Sequence, residues 1–88
     1  PYMVGGAMMT LGNTIGRRIL AICAVHQITL NKLGSICGIT QSTLNNIVSG
    51  SSKNPTVATV KKVCDGVGMT LGEFFNTPEF NALEQEVK

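Results

Sequence analysis

The sequence predicts an all-α domain, and three observations carry that reading. Apolar residues recur at three- and four-residue steps, a threonine stands before each such run, and glycines follow several of them. That is the period, start signal and stop signal of amphipathic helices. No segment reads as a convincing strand. Five helices follow, with room for a short sixth at the C-terminus.

Thr14 is placed to N-cap a first helix running to about His26, with Ile15, Ile19, Ile22 and Cys23 on one stripe. Thr29 caps a short second helix through Cys37, with Leu30, Leu33 and Ile36 facing inward, and Gly38 supplies the left-handed residue that ends it. Thr40 caps a third helix from Gln41 to Ser49, stopped by Gly50. A polar loop leads to Thr56, which caps a fourth helix carrying Val57, Val60, Cys64 and Val67 and ending at Gly68. Thr70-Leu71-Gly72-Glu73 is a capping box that opens the fifth helix, closed by Phe74-Phe75. Thr77-Pro78-Glu79 repeats the start signal with proline at the first helical position. The chain divides into an N-terminal extension (1–13), a helical domain (14–76) and an acidic tail (77–88). PYMVGGAMMT has no helical or strand period and reads as a leader appended ahead of a natural start.

Eighty-eight residues make one small domain. Such a chain buries only roughly 60–65% of its unfolded surface, which leaves little room for an internal cleft and weighs against an enzyme. Cys23, Cys37 and Cys64 form no C-x-x-C pair, and His26 is the one histidine. Neither a disulfide framework nor a zinc site is expected, and no cofactor. Reduced, buried cysteines point to a cytoplasmic protein. The longest apolar run, Ile19 to Val25, is seven residues and far short of a membrane helix.

Charge is unevenly distributed. Residues 1–62 carry Arg17, Arg18, Lys32, Lys53, Lys61 and Lys62 and no acid, a balance of +6. Residues 63–88 carry −4, which brings the whole chain to +2. One end suits a polyanion and the other a solvated or partner-facing surface.

The third helix has two unlike faces. Leu44, Ile47 and Val48 form its core side, whereas Ser42, Asn45, Asn46 and Ser49 point the opposite way, with Gln41 at the N-terminal edge. Surface helices ordinarily carry Glu, Lys and Arg there, because Ser and Asn are poorer helix formers. Amides and hydroxyls have a use on such a face: Gln or Asn pairs bidentately with the N6/N7 edge of adenine, and Ser bonds several base edges. Base edges are neutral, so reading them requires no charge; phosphates require cations, which Lys53, Lys32, Arg17 and Arg18 supply nearby. A polar solvent face without a ligand is the plain alternative.

Ile15-Gly16-Arg17-Arg18-Ile19, Thr29 to Leu33, Gly38-Ile39-Thr40-Gln41, Ile47, Gly50, Asn54-Pro55-Thr56 and Val67 to Phe75 occur in an order that resembles the Cro/cI (Xre-type, lambda-repressor-like) helix-turn-helix domains. The resemblance runs from Ile15 to Phe75, 61 of the 88 residues. It implies a compact five-helix module whose third helix enters the major groove of double-stranded operator DNA. Gln41, Ser42 and Asn46 match base-reading positions, with Asn45 an addition. Thr40, Lys53 and the backbone after Ser49 match phosphate-contacting positions, and the helix-two N-terminus at Thr29 and Leu30 abuts a phosphate, with Lys32 and Arg18 as further cations. Three positions depart from the pattern. Leu30 stands where many members carry a glutamine that supports the first glutamine of helix three. Gly34 replaces a small alanine, at a cost of about 0.5–1 kcal/mol of helix stability. Cys23 and Val48 stand where some members bury an Arg–Glu pair, a joint apolar replacement that can be neutral or stabilising.

Leu20, Ala21, Ala24 and Val25 make helix one apolar nearly all round, which fits either a cover from the chain ends or a subunit interface. The reading is a DNA-binding transcriptional repressor, without catalysis or metal, acting as a homodimer on a pseudo-palindromic site. Its rival is a helix-turn-helix protein-interaction module, antitoxin-like, with DNA contact secondary.

Overall fold

In the computed structural model, which describes residues 10–51, 54–85 and 87, the first helix starts earlier than its threonine signals suggest. α1 spans Leu11–His26 and its N-cap is Thr10, not Thr14. The Asn13 amide donates to Thr10 Oγ1 at 3.1 Å, and the Thr14 hydroxyl donates to the Thr10 carbonyl at 2.8 Å. Thr14 is 2% exposed, and this back-bond to the preceding turn is what lets its hydroxyl be buried. Two threonines four residues apart offer the same local signal; burial decided between them. The leader expected at residues 1–9 lies outside the described residues.

Five further helices follow: α2 (Leu30–Cys37), α3 (Gln41–Val48), α4 (Val57–Val67), α5 (Leu71–Phe75) and α6 (Pro78–Asn81), with no strand among the described residues. Thr29, Thr40, Thr56, Thr70 and Thr77 each accept a backbone N–H as N-cap, and Thr70–Glu73 forms both halves of the capping box. Ser49 is the C-cap of α3 rather than its last residue. Gln27, with φ 56°, ends α1 in the left-handed region that glycine usually takes, and the chain bends by 95° into α2. Gly38, with φ 71°, makes the turn from α2 towards α3, and Ile39 drops its side chain into the core.

The core gathers Ile15, Ile19, Ile22 and Cys23 of α1, Leu33 of α2, Ile39 of the turn, Leu44 and Ile47 of α3, Val60, Val63 and Cys64 of α4, and Phe74 of α5. Two expected core residues are outside it. Ile36 is 46% exposed and Val57 64%. Val57 occupies the first turn of α4, and the buried stripe of that helix is Val60, Val63 and Cys64. Ile36 sits at the rim of a helix too short to bury more than one flank. The acidic tail is tied down at its start: Phe80 of α6 packs edge-on against Phe75 at 4.9 Å between ring centroids and lies 6.0 Å from Phe74. The helix stops at Asn81, short of the C-terminus.

All three thiols are free, with Cys23 and Cys64 buried and Cys37 half-buried, and burial pushes each above the usual thiol range. No group of metal-ligating side chains comes together among the described residues, and no single helix is long and apolar enough to cross a membrane.

Close backbone approach explains two glycines. A Cβ on Gly16 would stand 2.6 Å from the Ile47 carbonyl oxygen, where α1 crosses α3. A Cβ on Gly34 would meet the Ile39 carbonyl at 2.8 Å and Leu44 Cδ1 at 3.1 Å. Gly34 is thus required by contact, and the propensity cost expected of it is the smaller term. Gly16→Ala and Gly34→Ala are expected to lower stability by about 1–3 kcal/mol despite better helix propensity. Gly72→Ala, whose Cβ meets nothing nearer than Thr70 Oγ1 at 3.8 Å, serves in urea titrations as the control in which only the propensity gain acts.

Candidate nucleic-acid interface

The outward face of α3 is set by what α3 buries. Leu44 and Ile47 are fully inside, Val48 is half-buried, and the backbone of Ile47 lies against Gly16 of α1. The helix therefore cannot roll, and Gln41, Ser42, Asn45, Asn46 and Ser49 all face solvent. The five residues singled out from helical periodicity share one exposed, uncharged surface.

Their hydrogen bonds differ. Gln41 Nε2 donates to Asn45 Oδ1 at 3.0 Å, linking two amides one turn apart. Ser42 and the Asn46 side chain have no partner among the described residues, whereas the Ser49 hydroxyl donates to the Asn46 carbonyl at 3.2 Å and lies 3.1 Å from Ser51 Oγ. The Thr40 hydroxyl accepts from the Thr43 amide and donates to Thr43 Oγ1 at 2.8 Å, so its own proton is engaged. The outward-facing hydroxyl donor at this edge belongs to Thr43, a residue the sequence reading passed over. Its only sequence signal is its place three residues after a capping threonine, where two hydroxyls can meet. Thr43 and Asn46 also line a shallow groove with Asn54, Pro55, Thr56 and Thr59, formed where α3, its following loop and the start of α4 converge.

The candidate cations separate into three groups. Lys32 is exposed one turn from Thr29, whose hydroxyl caps α2 by accepting the Lys32 amide at 3.0 Å, and Arg17 is exposed on α1. Lys61 is paired with Asp65, and the hydrogen bond the lysine donates to that carboxylate, followed by the carboxylate's charge, raises the lysine pKa. Lys53, expected to hold a phosphate, lies outside the described residues.

Arg18, expected to contact a phosphate, is engaged within the fold. Its Nε donates to the Phe74 carbonyl at 2.8 Å and its Nη2 to the Glu73 carbonyl at 3.1 Å, with the guanidinium 5.7 Å from the Phe74 ring centroid. Those carbonyls are in the last turn of α5, where the helix leaves them without partners. Arg18 supplies them, a partnership across 55 and 56 residues that no local pattern shows.

A Cro/C1-type HTH DNA-binding domain model matches residues 18–79, a span that takes in the second half of α1, α2, the turn, α3, α4 and α5. The chain belongs to the Cro/C1-type helix-turn-helix DNA-binding domains. Among solved structures, the crystal structure of the prophage Lp1 protein 11 is similar, with 32% sequence identity and a TM-score of 0.77. The likeness covers 86% of this chain and 100% of that one. No match was found among curated proteins. As a member of the Cro/C1 family, the chain is a double-stranded-DNA-binding regulator, and its all-helical architecture is the one the sequence predicts.

Arg18→Met is expected to lower stability by about 1–3 kcal/mol by leaving two helix-end carbonyls unpartnered. The same change should leave the salt dependence of DNA binding unaltered, whereas a phosphate contact would reduce its slope by about one. Urea titration paired with anisotropy at several salt concentrations checks both.

Proposed function

We propose that this Cro/C1-type domain is a sequence-specific transcriptional repressor that lays α3 in the major groove of operator DNA. The observation that carries the reading is the face of α3 itself. Five amide and hydroxyl side chains are exposed together on a helix that the core holds against rotation. Helix stability alone would favour charged residues or alanine there. Hydrogen bonds to base edges give such residues a reason.

In this reading Gln41, Ser42 and Asn46 reach base edges, with Asn45 beside them. Thr29, Thr40, Ser49, Lys32 and Lys53 face phosphates, and Thr43 joins them through its free hydroxyl proton. DNA binding is assigned to residues 14–76, and the acidic tail 77–88 is given no contact with the polyanion, whose charge it shares. Similarity to a prophage protein supports a phage-type or bacterial regulator, working in the cytoplasm. With Arg18 engaged at α5 and Lys61 paired with Asp65, one subunit offers few cations to the phosphates, which favours a homodimer on a pseudo-palindromic operator. Two α3 helices would then enter successive major grooves about 34 Å apart. No catalytic role is assigned.

One observation favours a second reading, a protein-interaction module of antitoxin type. α1 leaves Leu20 45% and Val25 78% exposed, next to exposed Ala21 and Ala24. In that case DNA contact would be secondary to a partner on α1.

Fluorescence anisotropy with DNA from upstream of the protein's own gene separates the two. Repression through α3 requires affinity that falls steeply with salt and a preferred sequence. Gln41→Ala with Asn46→Ala should abolish that preference, at about 1–3 kcal/mol per base position, while leaving non-specific binding nearly intact. Lys32→Ala should weaken all sequences alike and lower the salt slope by about one. A wild-type protein that selects no sequence from a random pool would sink the repressor reading. Light scattering is expected to show a dimer, at least on DNA; a monomer at high concentration both with and without DNA would count against the palindromic arrangement.

A further inference from the structure

Gln41 and Asn45 stand one turn apart on the open face of α3, and their amides are joined by the 3.0 Å bond from Gln41 Nε2 to Asn45 Oδ1. A carboxamide carries two N–H donors and one carbonyl oxygen. Asn45 takes one donor. The other N–H and the oxygen remain, and they are the donor and acceptor that a bidentate contact needs for adenine N7 and N6.

Such a contact depends on order in the free protein. An exposed glutamine populates many rotamers, and fixing them on binding subtracts from the gain. No other described side chain is hydrogen-bonded to the Gln41 amide. Leu30, half-buried at the start of α2, has no polar side-chain atom to offer, and the Thr40 and Thr43 hydroxyls are bonded to each other. Restraint comes from inside α3.

We propose that Asn45 is a positioning residue, which holds the Gln41 amide with its base-reading edge outward instead of reading a base itself. The inference rests on the role proposed for α3 in the major groove. It gives the two adjacent amides unequal tasks, where their shared exposure alone would make them equivalent.

The test compares wild type, Gln41→Ala, Asn45→Ala and the double variant on DNA duplexes varied one base pair at a time. Alanine is the better helix former at this exposed site, so the Asn45 variant should fold. Gln41→Ala and Asn45→Ala are expected to relax preference at the same base pair, each by roughly fivefold or more. The double variant should be no worse than Gln41→Ala alone. Asn45→Asp keeps the acceptor and is expected to restore the preference at that base pair, whatever its charge does to overall affinity. In the DNA-free protein, NMR relaxation should show the Gln41 side-chain amide ordered in wild type and mobile in Asn45→Ala.

Relaxed preference at a different base pair in Asn45→Ala, additive with Gln41→Ala, would make Asn45 a reader and overturn the proposal. A Gln41 amide equally mobile in both proteins would overturn it too. A wild type with no base preference anywhere overturns the α3 reading and this role together; preference without Gln41–Asn45 coupling overturns this role alone.

Discussion

The backbones of α1 and α3 meet at Gly16, and the rest of the structure depends on that contact. Only a hydrogen at Gly16 fits beneath the Ile47 carbonyl. That contact lets Leu44 and Ile47 reach full burial beside Ile15 and Ile19, and it fixes how α3 is rotated. A second close approach, at Gly34, seats α2 against the turn and against Leu44. The open face of α3 is the complement of these contacts. Its side chains are exposed together because the opposite side has no freedom to move.

A helix without charge can belong to a DNA-binding protein because affinity and specificity draw on different chemistry. Phosphates supply most of the raw attraction through cations, and base edges are read by neutral donors and acceptors. The tertiary structure makes the cation side thinner than residue counts imply. Arg18 is engaged at the end of α5 and Lys61 with Asp65. The Arg18 bonds also join the two ends of the domain, holding α5 and the Phe74–Phe75–Phe80 cluster against α1. Arg18, expected to hold a phosphate, is a clasp for the fold in the free protein.

Much of the architecture was legible because it is local. A threonine cap needs only the three residues after it, and a left-handed glycine only its own backbone, so α2 to α6 begin where their caps stand. Helical periodicity likewise separated the two faces of α3. Choices between equivalent local signals were not legible. Thr10 and Thr14 can each cap, and burial of Thr14 settled the matter. Val57 and Val63 both fit a helical stripe, and the extent of the bundle decided that Val63 is inside.

By itself the sequence determined the helix count, the helix-turn-helix unit and the uncharged character of the face formed by Gln41, Ser42, Asn45, Asn46 and Ser49. These follow from interactions within about one helical turn. Only the tertiary structure decided what Arg18 binds and why residues 16 and 34 must be glycine. Those outcomes depend on atoms brought together from different elements, which spacing along the chain does not encode.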